Sequence, residues 1–103
     1  VGSNELISRP LYATVNPANT STKFVAQTSE EHIGGVATFE VYTLLGKKIW
    51  SMSKEILSNT VTIDWHLTNN QGTAIPKGLY LYRVVIESPT SKEEIDAERI
   101  IIY

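Results

Sequence analysis

The sequence predicts an all-β fold of about seven antiparallel strands. Short runs rich in Val, Ile, Thr and aromatic residues recur along the chain, separated by Gly, Pro, Asn and Ser. Within several runs apolar and polar residues alternate with a period of two, and no segment carries a convincing helical period. The pattern favours a seven-stranded antiparallel immunoglobulin-like β-sandwich, with an open barrel as the alternative.

The strands are predicted at roughly regular intervals from Leu11 to the last residue. Residues 1–10 are mixed and polar and end at Pro10, so we expect a linker there and the domain over residues 11–103. The predicted strands cover about residues 11–15, 22–27, 36–44, 47–54, 61–66, 78–86 and 95–103. Polar loops are predicted over residues 28–35, 67–77 and 87–94.

The third and fourth strands are predicted to form a β-hairpin. A Leu-Gly pair separates them, and Gly46 supplies the positive φ that such a turn needs. Phe39 belongs to the apolar face of the third strand, whereas Glu40 marks the wetter face. On the fourth strand Ile49 has the opposite parity to Trp50. A bulge, or a strand with two apolar faces, explains that pattern.

The longest run of strand-forming residues begins at Gly78. Both of its faces are largely apolar, which predicts a central strand of a sheet. Tyr80 stands near the start of this sixth strand, two positions before Tyr82. Immunoglobulin domains place a tyrosine there whose hydroxyl bonds to upstream backbone. We therefore expect a structural hydrogen bond from Tyr80.

Composition argues against several classes of function. A chain of 103 residues suits one domain, and the absence of Cys removes disulfides, thiolate zinc sites and a cysteine nucleophile. The net charge is −2 with Lys and Arg scattered singly, so we expect no nucleic-acid partner. No apolar run approaches the ~20 residues of a transmembrane segment, and no signal-peptide pattern opens the chain. An exported protein would thus be seen here as a mature fragment.

The polar residues do not predict an enzyme. Asp64 and His66 share a strand face as a solvated pair, and His32 is expected to be exposed in a loop. We expect no catalytic residue, no metal and no cofactor, with a calcium ion between loops as the weaker alternative. Most aromatic residues should fill the core. An exposed Trp50 or Tyr42 on a carbohydrate-binding surface is the alternative.

Four segments, in order along the chain, resemble one bacterial family. They are Leu11–Ala18 with its Asn-Pro pair, Phe39–Ile49 with its Leu-Gly turn, Trp65–Val84 with Ile-Pro-Lys-Gly-Leu-Tyr-Leu-Tyr-Arg, and the aliphatic Glu98–Tyr103. They are similar to segments of the C-terminal sorting domain of proteins exported by the type IX secretion system of Bacteroidetes. The third also resembles the immunoglobulin-like domain of flagellar hook-capping proteins. It is most like the C-terminal domain of the gingipain-like type IX sortase.

The resemblance implies a non-catalytic domain that directs the export of an attached upstream protein, such as a sortase-type cysteine peptidase. Such proteins cross the periplasm and reach the outer-membrane surface or the extracellular space. Their expected partners are components of the type IX translocon or the sortase. The chain departs from the usual pattern at Val15, Thr43 and Glu98, where Pro, Asp and Lys are common. A structural scaffold and a carbohydrate-binding module are the alternative functions.

Recognition is expected at the last strand, because a strand at a sheet edge offers unpaired N–H and C=O groups to a partner. The predicted recognition residues are Arg99, Ile100, Ile101, Ile102 and Tyr103. The residues predicted as the structural signature of the family are Gly46, Trp65, Gly72, Pro76, Gly78, Tyr80 and Tyr82.

Overall fold

Two antiparallel sheets pack against each other in the computed structural model, which describes residues 10–89 and 91–103. The strands are β1 (Leu11–Ala13), β2 (Thr22–Gln27), β3 (Val36–Tyr42), β4 (Lys48–Glu55), β5 (Thr60–Trp65), β6 (Gly78–Ser88) and β7 (Ser91–Ile102). One sheet has the order β1-β2-β5 and the other β4-β3-β6-β7. The all-β class is confirmed. Residues 1–9 of the predicted linker lie outside the described residues.

One further pairing extends the larger sheet. Ala18 forms a parallel bridge with Ile102, so the chain leaves β1 and crosses to the far edge of the other sheet. Counted as a minimal strand, this bridge gives sheets of three and five strands and a total of eight, not the predicted seven. β1 is correspondingly short and ends at Ala13, before Pro17, which has no N–H to donate to a ladder.

The core is an aromatic cluster between the two sheets. The Phe24 ring stacks on Tyr82, Trp65 and Phe39, with centroids 4.7, 5.5 and 6.3 Å away. Trp50 packs against Trp65 at 5.6 Å and is 4% exposed. Such pairs contribute about 0.5–1.5 kcal/mol each beyond the area they bury. The prediction of an aromatic core is confirmed, and a carbohydrate platform on an exposed Trp50 is wrong.

The β3–β4 hairpin has the predicted turn. Gly46 has a φ of 93°, and its N–H donates to the Thr43 carbonyl at 2.9 Å. The register changes within the hairpin, because Val41 pairs with Trp50 whereas the next residue pairs with Lys48. Ile49 is therefore the extra residue of a β-bulge, which is the first of the two explanations that its parity allowed.

β6 lies between β3 and β7, as predicted for a central strand. The polar loop predicted over residues 87–94 is wrong, however. Ser88 pairs with Ser91, so only two residues separate the paired ends of β6 and β7. Lys92 and Glu93 are exposed strand residues. An edge strand tolerates such polar side chains, and their charges protect it from pairing with other molecules.

The segment between β2 and β3 also differs from the prediction. It forms a short 3-10 turn, Glu30–His32, and His32 is 4% exposed although it was predicted to be exposed. Its Nδ1 lies 2.9 Å from Ser29 Oγ, and its Nε2 lies 3.7 Å from a Glu93 carboxylate oxygen. A side chain at Gly35 would overlap the carbonyl of Glu87, so this glycine allows the turn to lie against β6.

Candidate recognition site

The terminal segment Arg99–Tyr103 divides into buried and exposed residues. Ile100 and Ile102 pair with β6 and are buried in the core. Ile101 and Tyr103 are 48% and 58% exposed, and Arg99 is also exposed. The predicted recognition residues therefore comprise two anchors that hold the segment in the fold and three side chains at the surface.

Residues Asn16–Ala18, called the strap from here on, cover the outer backbone edge of this segment. The side-chain amide of Asn16 takes the place of a peptide group. Its Nδ2 donates to the carbonyl of Arg99 at 2.8 Å, and its Oδ1 accepts the Ile101 N–H at 3.1 Å. The peptide bond that follows Asn16 is cis.

Ala18 continues the same edge with its backbone. Its N–H donates to the carbonyl of Ile101 at 2.8 Å, and its carbonyl accepts the Tyr103 N–H at 3.0 Å. Four outward backbone groups of the terminal segment, the Arg99 carbonyl, both groups of Ile101 and the Tyr103 N–H, thus already have partners. The prediction of unpaired N–H and C=O groups is wrong for these four groups, because the chain itself satisfies them.

Thr14 and Val15, the two residues before the strap, are hydrogen-bonded to β2. The Thr22 hydroxyl accepts the Val15 N–H at 3.0 Å and donates to the Val15 carbonyl at 2.9 Å. The Thr14 N–H donates to the carbonyl of Lys23 at 2.8 Å. Residues beyond Val15 then cross from one sheet to the other, so the strap links the start of the described chain to its last residues.

Four side chains form what we call the terminal face, on the outer side of the larger sheet. Leu79 pairs with Ile101, and Leu81 pairs with Arg99. Leu79, Arg99 and Ile101 are exposed, and Leu81 is half-buried. This face presents apolar surface with one cationic group beside the strap.

A charged cluster lies on the same side of the sheet. Glu40 is only 7% exposed, since it accepts hydrogen bonds from Arg83 Nε at 2.7 Å, Tyr42 Oη at 2.8 Å and Lys48 Nζ at 3.4 Å. Glu40 was predicted to lie on the wetter face of β3, but the side chains that bond to it shield it from solvent. The Arg83 guanidinium also lies 5.3 Å from the centre of the Tyr42 ring.

The cluster shifts the acidity of its members. Burial raises the pKa of Glu40, but the hydrogen bonds from Arg83 and Tyr42 and the nearby positive charges outweigh it, so the pKa lies below its ordinary value. Burial and the hydrogen bond to Glu40 raise the pKa of Tyr42. The hydrogen bond to Glu40 raises the pKa of Arg83. The cluster is an ionic network in which Arg83, Tyr42 and Lys48 each bond to Glu40.

A shallow groove of about 280 Å³ joins the charged cluster to the terminal face. It is lined by Tyr42, Gly46, Leu81, Arg83 and Ala97. Gly46, one of the predicted signature residues, therefore lies at the groove as well as in the hairpin turn.

The loop between β5 and β6 is closed by hydrogen bonds that involve two further signature residues, Trp65 at the end of β5 and Gly72 within the loop. The indole N–H of Trp65 donates to the Thr68 carbonyl at 2.9 Å. Gly72 has a φ of 83°, and its N–H donates to the Asn69 carbonyl at 3.0 Å. Positive φ favours glycine, so this residue suits the turn. The loop connects the two sheets and carries the chain from the core into β6.

The predicted tyrosine interaction is present at the start of β6. The Tyr80 hydroxyl donates to the carbonyl of Pro76 at 2.6 Å, while Tyr82 packs in the aromatic core. Gly78 has a φ of 150° and pairs with Ile102, so it brings the strand alongside the terminal segment. The signature residues thus position β6, against which the predicted recognition residues lie.

The remaining polar candidates, Asp64 and His66, lie at the surface. Asp64 faces Lys23, with 4.0 Å between the carboxylate and the ammonium nitrogen, and His66 is exposed. Among the side chains that the structure describes, no three His, Asp or Glu come together in a way that could hold a metal ion. In the same residues no helix is long and apolar enough to cross a membrane.

Asn16 is the functional candidate that the sequence did not identify. The Asn-Pro pair belongs to a sequence motif, but the Asn16 side chain bonds to Arg99 and Ile101, which lie 83 and 85 positions farther along the chain. Only the sheet topology brings these segments together.

Comparisons with known proteins agree with the predicted resemblance. No family model and no curated protein matches the chain. Among solved structures, dimeric latent PorU from Porphyromonas gingivalis matches with a TM-score of 0.80 and 26% identity, over 89% of this chain and 9% of PorU. PorZ, an essential surface component of the type IX secretion system of the same organism, matches with a TM-score of 0.56 and 18% identity, over 99% of this chain and 12% of PorZ.

The hook-capping protein FlgD from Xanthomonas campestris matches with a TM-score of 0.65 and 17% identity, over 89% of this chain and 64% of FlgD. The chain thus spans about a tenth of PorU and of PorZ, and less than two thirds of FlgD. The resemblance to type IX secretion proteins and hook-capping proteins, predicted from the sequence motifs, is confirmed by these structures.

Proposed function

We propose that the chain is a non-catalytic, immunoglobulin-like C-terminal sorting domain. It directs an attached protein through the type IX secretion system, by way of the periplasm, to the outer-membrane surface or the extracellular space. The observation that carries the proposal is the similarity to part of PorU, with a TM-score of 0.80 and 26% identity. The similarity to PorZ, a component of that system, supports the same assignment.

The terminal segment is the proposed address, and translocon or sortase components are the proposed partners. Ile100 and Ile102 fix the segment in the core, which leaves Arg99, Ile101 and Tyr103 to present side chains to a partner. A partner protein can recognise this arrangement, since the exposed apolar side chains supply contact area and the charge of Arg99 orients the partner.

The test uses a reporter protein fused ahead of this chain in a bacterium that carries a type IX system. Deletion of the last residues would also remove buried anchors, so substitutions of exposed residues are preferable. The double variant Ile101→Ser and Tyr103→Ser should lose surface display while its circular dichroism and thermal midpoint stay close to those of the unmodified chain. Leu45→Ser is the matched control, because Leu45 is an apolar residue with 98% exposure in the hairpin turn.

Two results would contradict the proposal. The unmodified chain could fail to bring the reporter to the cell surface, which would remove the sorting function. Alternatively, the double variant could be displayed as efficiently as the Leu45→Ser control, which would show that Ile101 and Tyr103 are not part of the recognised surface.

A scaffold function, as in hook-capping proteins, is the second candidate, favoured by the TM-score of 0.65 with FlgD. The protein sequence that precedes Val1 in the full gene distinguishes the two. A peptidase or adhesin domain there supports sorting, and flagellar sequence supports the scaffold.

A further inference from the structure

We propose that the outer edge of the terminal segment is a strand-addition site, covered in this structure by the strap, and that an extended strand of a partner replaces the strap on recognition. The inference rests on the proposed function, because it says how the terminal segment is engaged. It assigns a role to Asn16–Ala18, which the proposed function leaves without one.

The hydrogen bonds of the strap have the pattern of an added parallel strand. The Arg99 carbonyl, the N–H and carbonyl of Ile101 and the Tyr103 N–H point outward, and Asn16 and Ala18 bond to these four groups at 2.8–3.1 Å. The Ala18–Ile102 bridge is parallel. A partner strand in the same direction can therefore replace these bonds one for one, which is the mode of recognition known as β-augmentation.

The strap is held mainly by these hydrogen bonds and by one small side chain. Ala18 is buried, whereas Val15, Asn16, Pro17 and Asn19 are exposed. Val15 and Thr14, which precede the strap, bond to Thr22 and Lys23 of β2, which belong to the smaller sheet. Release of the strap therefore keeps the hydrogen bonds of the β1–β2 ladder, and the strap side chain that it withdraws from the core is the methyl group of Ala18.

The site also indicates what the partner strand contains. The position of Ala18 is fully enclosed, so it accepts only a small residue such as Ala, Gly or Ser. The flanking positions lie on the outer side of the sheet, next to the exposed Leu79 and Ile101. Apolar residues there would cover surface that the polar and exposed strap leaves open, and this gives the partner its advantage over the strap.

Farther along β7 the edge is less suitable. Lys92, Glu93 and Glu94 are exposed charged residues of the same strand. Charged side chains at an edge oppose addition of another strand. The strand-addition site is thus confined to the terminal segment.

A disulfide between the strap and β7 tests the inference. Ala18 and Ile102 are bridge partners, and neighbouring strands lie about 4.8 Å apart, within the Cα separation of about 4.4–6.8 Å that a disulfide spans. We expect the Ala18→Cys/Ile102→Cys chain, fused to the reporter and oxidised, to lose surface display. The single Cys variants, which cannot form this bond, should be displayed. Thiol labelling of the protein recovered from the cells establishes the oxidation state.

Asn16→Ala weakens the attachment of the strap, whereas the disulfide locks it in place. It removes the two side-chain hydrogen bonds of the strap, so we expect display at least equal to that of the unmodified chain. It also keeps the inference falsifiable if the single Cys variants do not fold. Loss of display by a folded Asn16→Ala chain would overturn strand replacement, since it would make the strap part of the recognised surface.

Normal display of the oxidised double Cys chain would also overturn the inference, but it would leave the proposed function standing. Failure of the unmodified chain to be displayed would instead contradict the proposed function itself. The two failures are therefore distinct.

Discussion

The side-chain amide of Asn70 binds both backbone groups of Ser51. The Ser51 N–H donates to Asn70 Oδ1 at 3.0 Å, and Asn70 Nδ2 donates to the Ser51 carbonyl at 2.9 Å. Ser51 belongs to β4, one edge of the larger sheet. At the other edge the Asn16 amide bonds to two residues of β7, the carbonyl of Arg99 and the N–H of Ile101. Asparagine amides thus take the place of a peptide group at both edges and limit pairing with other molecules.

Asn70→Ala should lower the free energy of unfolding by about 1–2 kcal/mol, because it removes two hydrogen bonds that are each worth about 1 kcal/mol in net terms. It should also increase self-association, since the freed Ser51 groups become available to another strand. Urea unfolding measures the first effect, and light scattering over a concentration series measures the second.

Gln71→Ala is the control for this prediction. Gln71 is exposed in the same loop, and its backbone N–H, not its side chain, bonds to Asn69. Equal stability and equal association of the two variants would show that the Asn70 amide does not protect the edge.

Local pattern was sufficient to predict much of this fold. Alternation located the core residues of β3 and β5, two apolar faces predicted that β6 is central, and the turn at Gly46 followed from its residue type. The hydrogen bond of Tyr80 to Pro76 was predictable because only four positions separate its partners. These features depend on neighbours in sequence, and the residue types involved have few conformational alternatives.

Features that depend on distant segments were not predictable. The Asn-Pro pair directly follows the first predicted strand, but the Asn16 side chain bonds to the terminal strand, 83 positions farther along the chain. His32 was expected to be exposed, yet the loop folds against β6 because Gly35 permits close approach to Glu87. The sequence shows these residues but not which surface they will meet, and that surface decides both their burial and their role.

Tyr80→Phe should lower the free energy of unfolding by about 1–2 kcal/mol. The change removes the hydroxyl that donates to Pro76 and leaves that carbonyl without this partner. Tyr12→Phe is the matched control, because Tyr12 is half-buried on β1 and its hydroxyl makes none of the described hydrogen bonds. Chemical denaturation of both variants at neutral pH measures the difference, and a loss for Tyr12→Phe equal to that for Tyr80→Phe would contradict the structural role.

Tyr80 should also affect stability at high pH. Burial raises the pKa of its hydroxyl above the ordinary value of 10.0. Because the folded-state pKa is the higher one, the stabilisation is complete below about pH 10 and is lost as the pH rises through the folded-state pKa. The stability difference between the unmodified chain and Tyr80→Phe should therefore become smaller above about pH 10.

Glu40→Gln should lower the free energy of unfolding by about 1–3 kcal/mol at pH 7, since hydrogen bonds to charged groups are stronger than those between neutral groups. Arg83, Tyr42 and Lys48 all bond to this carboxylate, and together they hold its pKa below the ordinary value of 4.5. A lowered pKa in the folded state means that the stabilisation is present above about pH 4.5 and is lost as the pH falls through the folded-state pKa. The difference between the unmodified chain and Glu40→Gln should therefore shrink in acid.

Urea unfolding at a series of pH values between about 3 and 7 measures that difference. Glu55→Gln is the matched control, because Glu55 is exposed on β4 and takes part in none of the described ion pairs. Its stability should follow that of the unmodified chain throughout the series. A constant difference for Glu40→Gln across the series would mean that the charge of Glu40 contributes nothing, and that the side chain acts only through its shape and neutral hydrogen bonds.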